Sequence, residues 1–226
     1  MLSRHSKADL FQLVLLVVTA ALITATGIIF RQSFIRILPL YNSLVVMLLV
    51  ARVNRYAYLV GACNALLYGY IYFSFKLYAS MVYAVCISSP IQLASFILWG
   101  KKPWGRSTIL KRLTGKQRSL VGVGFVMAWA AVMALLSLLG SSYQVLDTTI
   151  TLVGILASVL TMLAYVEYAY LVFPSTILSI VLYALMLQEN PAQITYLIYT
   201  VYCLICQLTS LQRVRKLYRL QQKKAV

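Results

Sequence analysis

The sequence has few acidic side chains, with four Asp and Glu against 20 Lys and Arg in 226 residues. The only histidine, His5, lies near the start of the chain. Transporters driven by protons commonly hold a carboxylate or histidine within the membrane. The four acidic residues all lie at the ends of predicted helices, so proton coupling is disfavoured; they are Asp9, Asp147, Glu167 and Glu189.

Motifs for enzymes and cofactors are also missing. There is no GxxxxGK[ST] loop, which excludes direct use of ATP by that route. No nucleophile with a neighbouring base and no carboxylate pair is seen, so we predict no enzyme and no cofactor. Cys203 and Cys206 form a CxxC, but no second pair or nearby histidine completes a metal site. These two are interpreted as small packing residues on a helix. Like them, Cys63 and Cys86 fall inside predicted spans, so no disulfide is expected.

Apolar residues, in contrast, are abundant. They make up 62% of the chain, charged residues make up 11%, and mean hydropathy is +0.86. A membrane-spanning helix needs about 20 mainly apolar residues. We predict eight spans and read the first as retained, not as a signal peptide; they cover residues 10–30, 36–52, 56–75, 78–99, 119–140, 147–166, 168–188 and 191–212.

The basic residues are distributed unevenly between the two sides of the predicted membrane. Of the 20 Lys and Arg, 17 fall in the two ends of the chain, around 52–55, and in the loop at 100–118. The other three are Arg31, Arg36 and Lys76. Positive charge favours the cytoplasmic side. We therefore predict that both termini and the loop at 100–118 lie in the cytoplasm, and that the positive charge meets membrane lipids and not nucleic acid.

An internal repeat relates the two halves of the chain. With an offset of 115 residues, QLAS at 92–95 meets QLTS at 207–210, and whole spans superpose. Three spans thus repeat as three, with 119–140 as a single connector, so both halves have the same orientation. The predicted fold class is all-α: a polytopic membrane protein with a 3+1+3 parallel-repeat helix bundle plus one extra N-terminal transmembrane helix. The N-terminal tail and extra helix are predicted at 1–35, followed by the first three-helix repeat at 36–100. The basic loop and connector helix then cover 101–146, the second repeat covers 147–212, and a basic tail covers 213–226.

Polar side chains recur at helical spacing within the spans. A buried amide facing lipid would cost several kcal/mol, so these side chains should face protein or water. They either join helices or line a solute path, and tyrosines suit a flat ring that carries polar groups. Other tyrosines at span ends, Tyr58 and Tyr168 among them, are interpreted as an interface belt. We predict that the path is lined by Asn64, Tyr68, Gln92, Ser179, Tyr183, Tyr199 and Gln207.

The segment RYAYLVGACNALLYGYIYFSFKLYAS at 55–80 resembles the PnuC family of bacterial vitamin-precursor transporters. Tyr165-Val166-Glu167 and Leu182-Tyr183 add to the resemblance, which covers about 36–215. It implies a seven-span 3+1+3 core similar to the SWEET plan, often a homotrimer, that carries nicotinamide riboside by facilitated diffusion. Phosphorylation inside the cell would then trap the solute.

The sequence departs from this family at ligand-holding positions. Ala169 and Val172 stand where the family usually has tryptophans, Thr176 where it has asparagine, and Ala84 where it has glutamine. A changed pocket should prefer a different flat, polar ring. The resemblance therefore leaves nicotinamide riboside, thiamine, riboflavin and a deoxynucleoside as solutes.

The predicted function is uptake of a vitamin-like or nucleoside-like solute by facilitated diffusion with alternating access. The alternative is a membrane-embedded docking or assembly protein. In that case the basic loop at 100–118 would bind a soluble partner, and the polar side chains would serve helix packing alone.

Overall fold

The computed structural model describes the backbone of residues 2–74, 81, 83–139 and 144–225. Over these ranges the chain is mainly helical, and apolar runs ending in short polar turns account for the helix bounds. The helices are α1 (Leu2–Ile29), α2 (Phe34–Ala51), α3 (Tyr56–Ser74), α4 (Ser89–Lys101), α5 (Gly115–Leu139), α6 (Gln144–Met162), α7 (Glu167–Glu189) and α8 (Ile194–Ala225). A π-helical turn, Tyr83–Ser88, leads into α4, and a 3-10 turn, Pro191–Gln193, leads into α8.

Several of these helices could cross a membrane. Among the described residues, four segments are long and apolar enough by length and composition; they are Leu10–Ile29, Gly115–Ala134, Glu167–Glu189 and Pro191–Lys224. Two shorter apolar helices, Ile37–Ala51 and Thr148–Met162, accompany them. The predicted fourth span, 78–99, is seen as the π-helical turn and α4, while residues 75–80 and 82 lie outside the described part.

Six helices form a closed ring. Packing runs from α2 to α3 and α4, across to α6, on to α7 and α8, and back to α2. The first helix, α1, lies outside this ring against α2 and α8, and α5 lies outside it against α6. Most of the described residues of α5 are consequently exposed.

The basic loop between α4 and α5 contains regular secondary structure. It contains a two-stranded antiparallel hairpin, β1 (Pro103–Trp104) and β2 (Ser107–Thr108). Gly105 has a φ of 61° at the first position of the two-residue turn, a conformation that such hairpins require. The purely helical prediction missed this hairpin, because its strands are only two residues long.

A buried core closes the end of the bundle that carries this loop, which we call the basic end. Trp99 is fully buried there, and its indole Nε1 donates to the Thr161 carbonyl at 2.7 Å. Leu110 and Leu113 of the loop pack into the same core, together with Val214 of α8. The loop is also joined to the turn after α6, since Lys111 N donates to the Ala164 carbonyl at 2.8 Å.

The C-terminal segment, predicted as a basic tail at 213–226, continues α8 as one helix to Ala225. Gln221 is buried on this helix, and its side-chain amide makes two hydrogen bonds to the backbone of the basic loop. Its Nε2 donates to the Thr108 carbonyl at 2.9 Å, and its Oε1 accepts from Leu110 N at 2.9 Å. The end of α8 is therefore part of the structure at the basic end.

Candidate functional site

A cavity with two adjoining lobes lies inside the six-helix ring. The α4 lobe has a volume of about 280 Å³ and is lined on the polar side by Gln92, Ser95, Ser158 and Ser175. The α8 lobe has a volume of about 160 Å³ and includes Gln207 and Ser210. The lobes adjoin because they share four lining residues, Val50, Tyr58, Thr161 and Val172.

Gln92 is held in the α4 lobe by its two neighbours. Its amide Nε2 donates to Ser88 Oγ at 3.2 Å, one turn earlier. Its carbonyl lies against the backbone of α3 at Gly61, where an added Cβ would be 1.8 Å from Gln92 Oε1. Only a glycine leaves room for this approach. Gly61 therefore sets where the Gln92 amide points.

Gln207 is held in a different way in the α8 lobe. The Thr176 hydroxyl of α7 donates a hydrogen bond to Gln207 Oε1. One turn further along α8, Ser210 lies against Tyr168, which also contacts Tyr58. An amide and hydroxyl groups are thus collected around a small apolar wall that includes Ala169 and Val172.

The described walls of the cavity carry no formal charge. Among the described residues that line the two lobes there is no Lys, Arg, His, Asp or Glu. Nor do three His, Cys, Asp or Glu side chains come together as metal ligands anywhere in the described ranges. Such walls can hydrogen-bond hydroxyl and amide groups and pack against a ring, but they cannot neutralise a phosphate.

Three predicted path residues form a separate polar cluster nearby. Asn64 is buried between α2 and α3, where its Nδ2 donates to Ser43 Oγ at 2.8 Å and its Oδ1 accepts from Asn42 Nδ2 at 3.2 Å. Tyr199 of α8 lies near Ser43 and Tyr68. Asn64, Tyr68 and Tyr199 are therefore brought together, yet they do not line either lobe.

The remaining two predicted residues lie further along α7. Ser179 Oγ donates to the Ser175 carbonyl at 3.1 Å within the helix. Tyr183 stacks on Tyr196 of α8, with ring centroids 5.9 Å apart and an angle of 18° between planes. Neither lines the lobes, so only Gln92 and Gln207 of the predicted set do.

Sequence reasoning missed the two tyrosines of the site. Tyr58 lines both lobes and Tyr168 lines the α8 lobe with 5% of its surface exposed, so the interpretation of this pair as an interface belt is wrong. Both sit at span ends, where a belt tyrosine and an inward tyrosine give the same sequence pattern. Ser95 and Ser210 could have been found, because the repeated QLAS and QLTS segments place each one helical turn after its glutamine.

Comparison with known proteins gives consistent results. The sequence model of the family described as "Nicotinamide mononucleotide transporter" matches residues 33–212. The chain is 31% identical over 153 residues to the "Nicotinamide riboside transporter PnuC" of Neisseria mucosa, an alignment covering 63% of this chain and 58% of that relative. The crystal structure of the "Vitamin B3 transporter PnuC" superposes with a TM-score of 0.65 and 25% identity, covering 90% of this chain and 92% of that one.

Proposed function

Since the chain belongs to the nicotinamide mononucleotide transporter family, whose members are transporters and not enzymes, we propose that it carries an unphosphorylated vitamin or nucleoside across the bacterial inner membrane. Nicotinamide riboside, the solute in the name of the Neisseria relative, is the first candidate, followed by thiamine, riboflavin and a deoxynucleoside. The observation that carries this proposal is the uncharged two-lobed cavity with one glutamine in each lobe.

The chemistry of the lobes favours a nucleoside over its nucleotide. A phosphate buried in these lobes would lose its hydrating water without gaining an ion pair, and this desolvation costs several kcal/mol. The sugar hydroxyls and an amide can instead bond Gln92, Gln207 and their serine neighbours. The rings of Tyr58 and Tyr168 can accept a flat cationic ring through cation–π contact, although the described walls hold no carboxylate.

The 3+1+3 parallel repeat is part of the same proposal. In the ring, the first helix of each three packs on the third helix of the other, as α2 on α8 and α6 on α4. This is the arrangement that a two-fold axis along the membrane normal would give. Further support comes from Gln92 with Ser95 in one lobe and Gln207 with Ser210 in the other, because both pairs obey the 115-residue offset.

Alternating access would then open the cavity to each side in turn. The buried core around Trp99 closes the basic end and shares Tyr168 and Ala169 with the α8 lobe, so we assign it to the gate on that side. Transport runs down the solute gradient, and phosphorylation in the cytoplasm keeps the internal concentration low. Both termini lie in the cytoplasm in this scheme, as the distribution of Lys and Arg favours.

Uptake into liposomes tests the proposal. Purified protein should admit labelled nicotinamide riboside, or one of the other unphosphorylated solutes, and should exclude nicotinamide mononucleotide. Gln92→Leu and Gln207→Leu each remove one hydrogen bond to a neutral solute, so we expect a roughly 3- to 10-fold higher half-saturation concentration. Gln222→Leu, a change at an exposed position of α8, is the matched control and should transport normally.

The proposal fails if none of these solutes enters above protein-free liposomes, or if the mononucleotide enters as fast as the riboside. The assignment of the solute site to the two lobes fails if both cavity variants behave like Gln222→Leu.

The homotrimer implied by the family resemblance is a separate prediction. Light scattering of the purified protein in detergent should give about three times the mass of the 25.4 kDa chain, and a monomer mass would contradict it.

A further inference from the structure

A second, strongly basic cavity lies at the basic end, apart from the solute lobes. Its volume is about 590 Å³, and it is formed by the basic loop, the first turns of α5 and α7, and the extended end of α8. Four arginines line it together with a single carboxylate; they are Arg112, Arg118, Arg215 and Arg219. The proposed transport mechanism gives this cavity no role.

Most of its positive charge is uncompensated. Glu167, the one acidic residue among the described lining residues, is engaged by Arg118 at 2.7 Å and by the backbone N–H of Leu113. Within the described ranges, the side chains of Arg112 and Arg219 have no hydrogen bond or ion pair. A neighbouring basic cavity of about 470 Å³ shares Arg215 and Arg219 and adds Lys216 and Lys223. Arg112, Arg215 and Arg219 therefore give the cavity a net positive charge that can bind an anion.

Arg215 is already oriented. Its Nε donates to the Tyr170 hydroxyl at 3.0 Å, and its guanidinium lies 4.7 Å from the centre of the Tyr170 ring. This leaves its terminal NH₂ groups available, and a planar guanidinium is suited to two parallel bonds with a phosphate. A side chain held in advance loses less conformational entropy when the anion binds.

The position of the cavity relative to the bilayer points to a lipid as the source of the anion. If the last span ends near residue 212, a rise of 1.5 Å per residue puts residues 215 and 219 about 4.5 and about 10 Å beyond the hydrocarbon. The headgroup layer on each side of a bilayer is roughly 5–7 Å thick. Arg215 therefore lies at the level of lipid phosphates, whereas the backbone of Arg219 lies a few Å beyond the headgroup layer and its long side chain can reach back to it.

We propose that Arg112, Arg215 and Arg219 form a phosphate-binding site that holds the headgroup of an anionic phospholipid. Arg118 remains paired with Glu167, and this ion pair contributes no net charge to the site. The lipid joins the basic loop to α7 and α8 and so stabilises the basic end. A soluble compound with a phosphate group has the same chemistry, and the experiment separates the two sources.

Thermal unfolding of the full-length protein in neutral detergent tests this. The probes are short-chain phosphatidylglycerol, phosphatidylcholine of the same chain length, and sodium phosphate at constant ionic strength. A ligand that binds only the folded state raises the unfolding temperature once its concentration exceeds its Kd, by an amount that grows with the logarithm of their ratio. Phosphatidylglycerol should raise it at concentrations at least about tenfold lower than phosphatidylcholine, and phosphate alone should have little effect.

The double variant Arg112→Gln/Arg219→Gln removes two positive charges. It should need at least about tenfold more phosphatidylglycerol for the same rise in unfolding temperature, since charge-assisted bonds are lost. Lys101→Gln/Lys102→Gln removes the same charge from exposed positions outside the cavity and should keep the response of the native protein. Both arginines are exposed, so the unfolding temperature without lipid should change little. The two single variants replace the double variant if it is unstable.

Three results would overturn the assignment. Equal stabilisation by phosphatidylcholine would exclude recognition of the anionic headgroup. Equal loss in both double variants would mean that the lipid responds to diffuse surface charge. Saturation by phosphate at concentrations as low as those of phosphatidylglycerol would support the arginine site but overturn the lipid as its occupant.

Discussion

The two cavity glutamines occupy related positions but have different partners. Gln92 faces Gly61, whereas Gln207 faces Thr176, and both pairs of positions are separated by the same 115 residues. A hydroxyl donor thus binds the carbonyl of Gln207, while the carbonyl of Gln92 rests against a backbone without a side chain. At the residue scale, the two lobes should therefore bind different parts of one asymmetric solute.

Gly61→Ala should change solute affinity with little change in stability. The new methyl group would overlap Gln92 Oε1, which is the end of a flexible side chain, so the amide turns away instead of the helices separating. We expect solute affinity to fall roughly 3- to 10-fold, as for the loss of one hydrogen bond. Measuring the unfolding temperature at increasing solute concentrations gives both the stability without solute and the solute affinity.

Gly122→Ala is the control for this substitution, because nothing lies within 4 Å of the new Cβ on α5. It should leave affinity unchanged. An unaltered affinity in Gly61→Ala would mean that the position of the Gln92 amide is irrelevant to binding.

At the scale of the elements, hydropathy predicts where the bilayer ends, not where a helix ends. Bounds agree closely for α2 and α3, because Arg52 and Arg55 interrupt the apolar pattern at a real turn. After residue 212 the pattern becomes polar, yet α8 continues, since Leu, Arg, Lys and Gln are good helix formers and Gln221 binds the loop. Long-range contacts of this kind leave no periodic signal.

The basic loop is likewise more than an exposed docking segment. Leu110 and Leu113 are buried in the core of the basic end. Deleting residues 103–116 would therefore remove part of the core and could not separate docking from transport. A single substitution at the contact between loop and helix is the sharper test of this element.

Gln221→Leu should loosen the loop without altering the ring. It leaves the N–H of Leu110 and the carbonyl of Thr108 without their partner, at about 1–3 kcal/mol for each buried group. Hydrogen exchange at the Leu110 amide should become at least about tenfold faster. Gln222→Leu, its exposed neighbour, should exchange like the native protein; equal rates in the two variants would contradict the proposed contact.

At the scale of the whole molecule, ring closure determines which polar residues share a cavity. Helical periodicity was enough to select Gln92 and Gln207, because their rows stand out within apolar helices. It could not separate them from Asn64, whose amide is used by Asn42 and Ser43 of the neighbouring helix. That distinction depends on which helices are adjacent, and adjacency is a property of the assembled ring.

The central claim is that one uncharged solute binds between the two halves of the ring, in contact with both glutamines. The most direct measurement is an experimental structure determined with the solute that gives the largest thermal shift. We predict density in the two lobes, within hydrogen-bonding distance of Gln92 and Gln207. Density against only one half, or at the Asn64 cluster with both lobes empty, would contradict the claim.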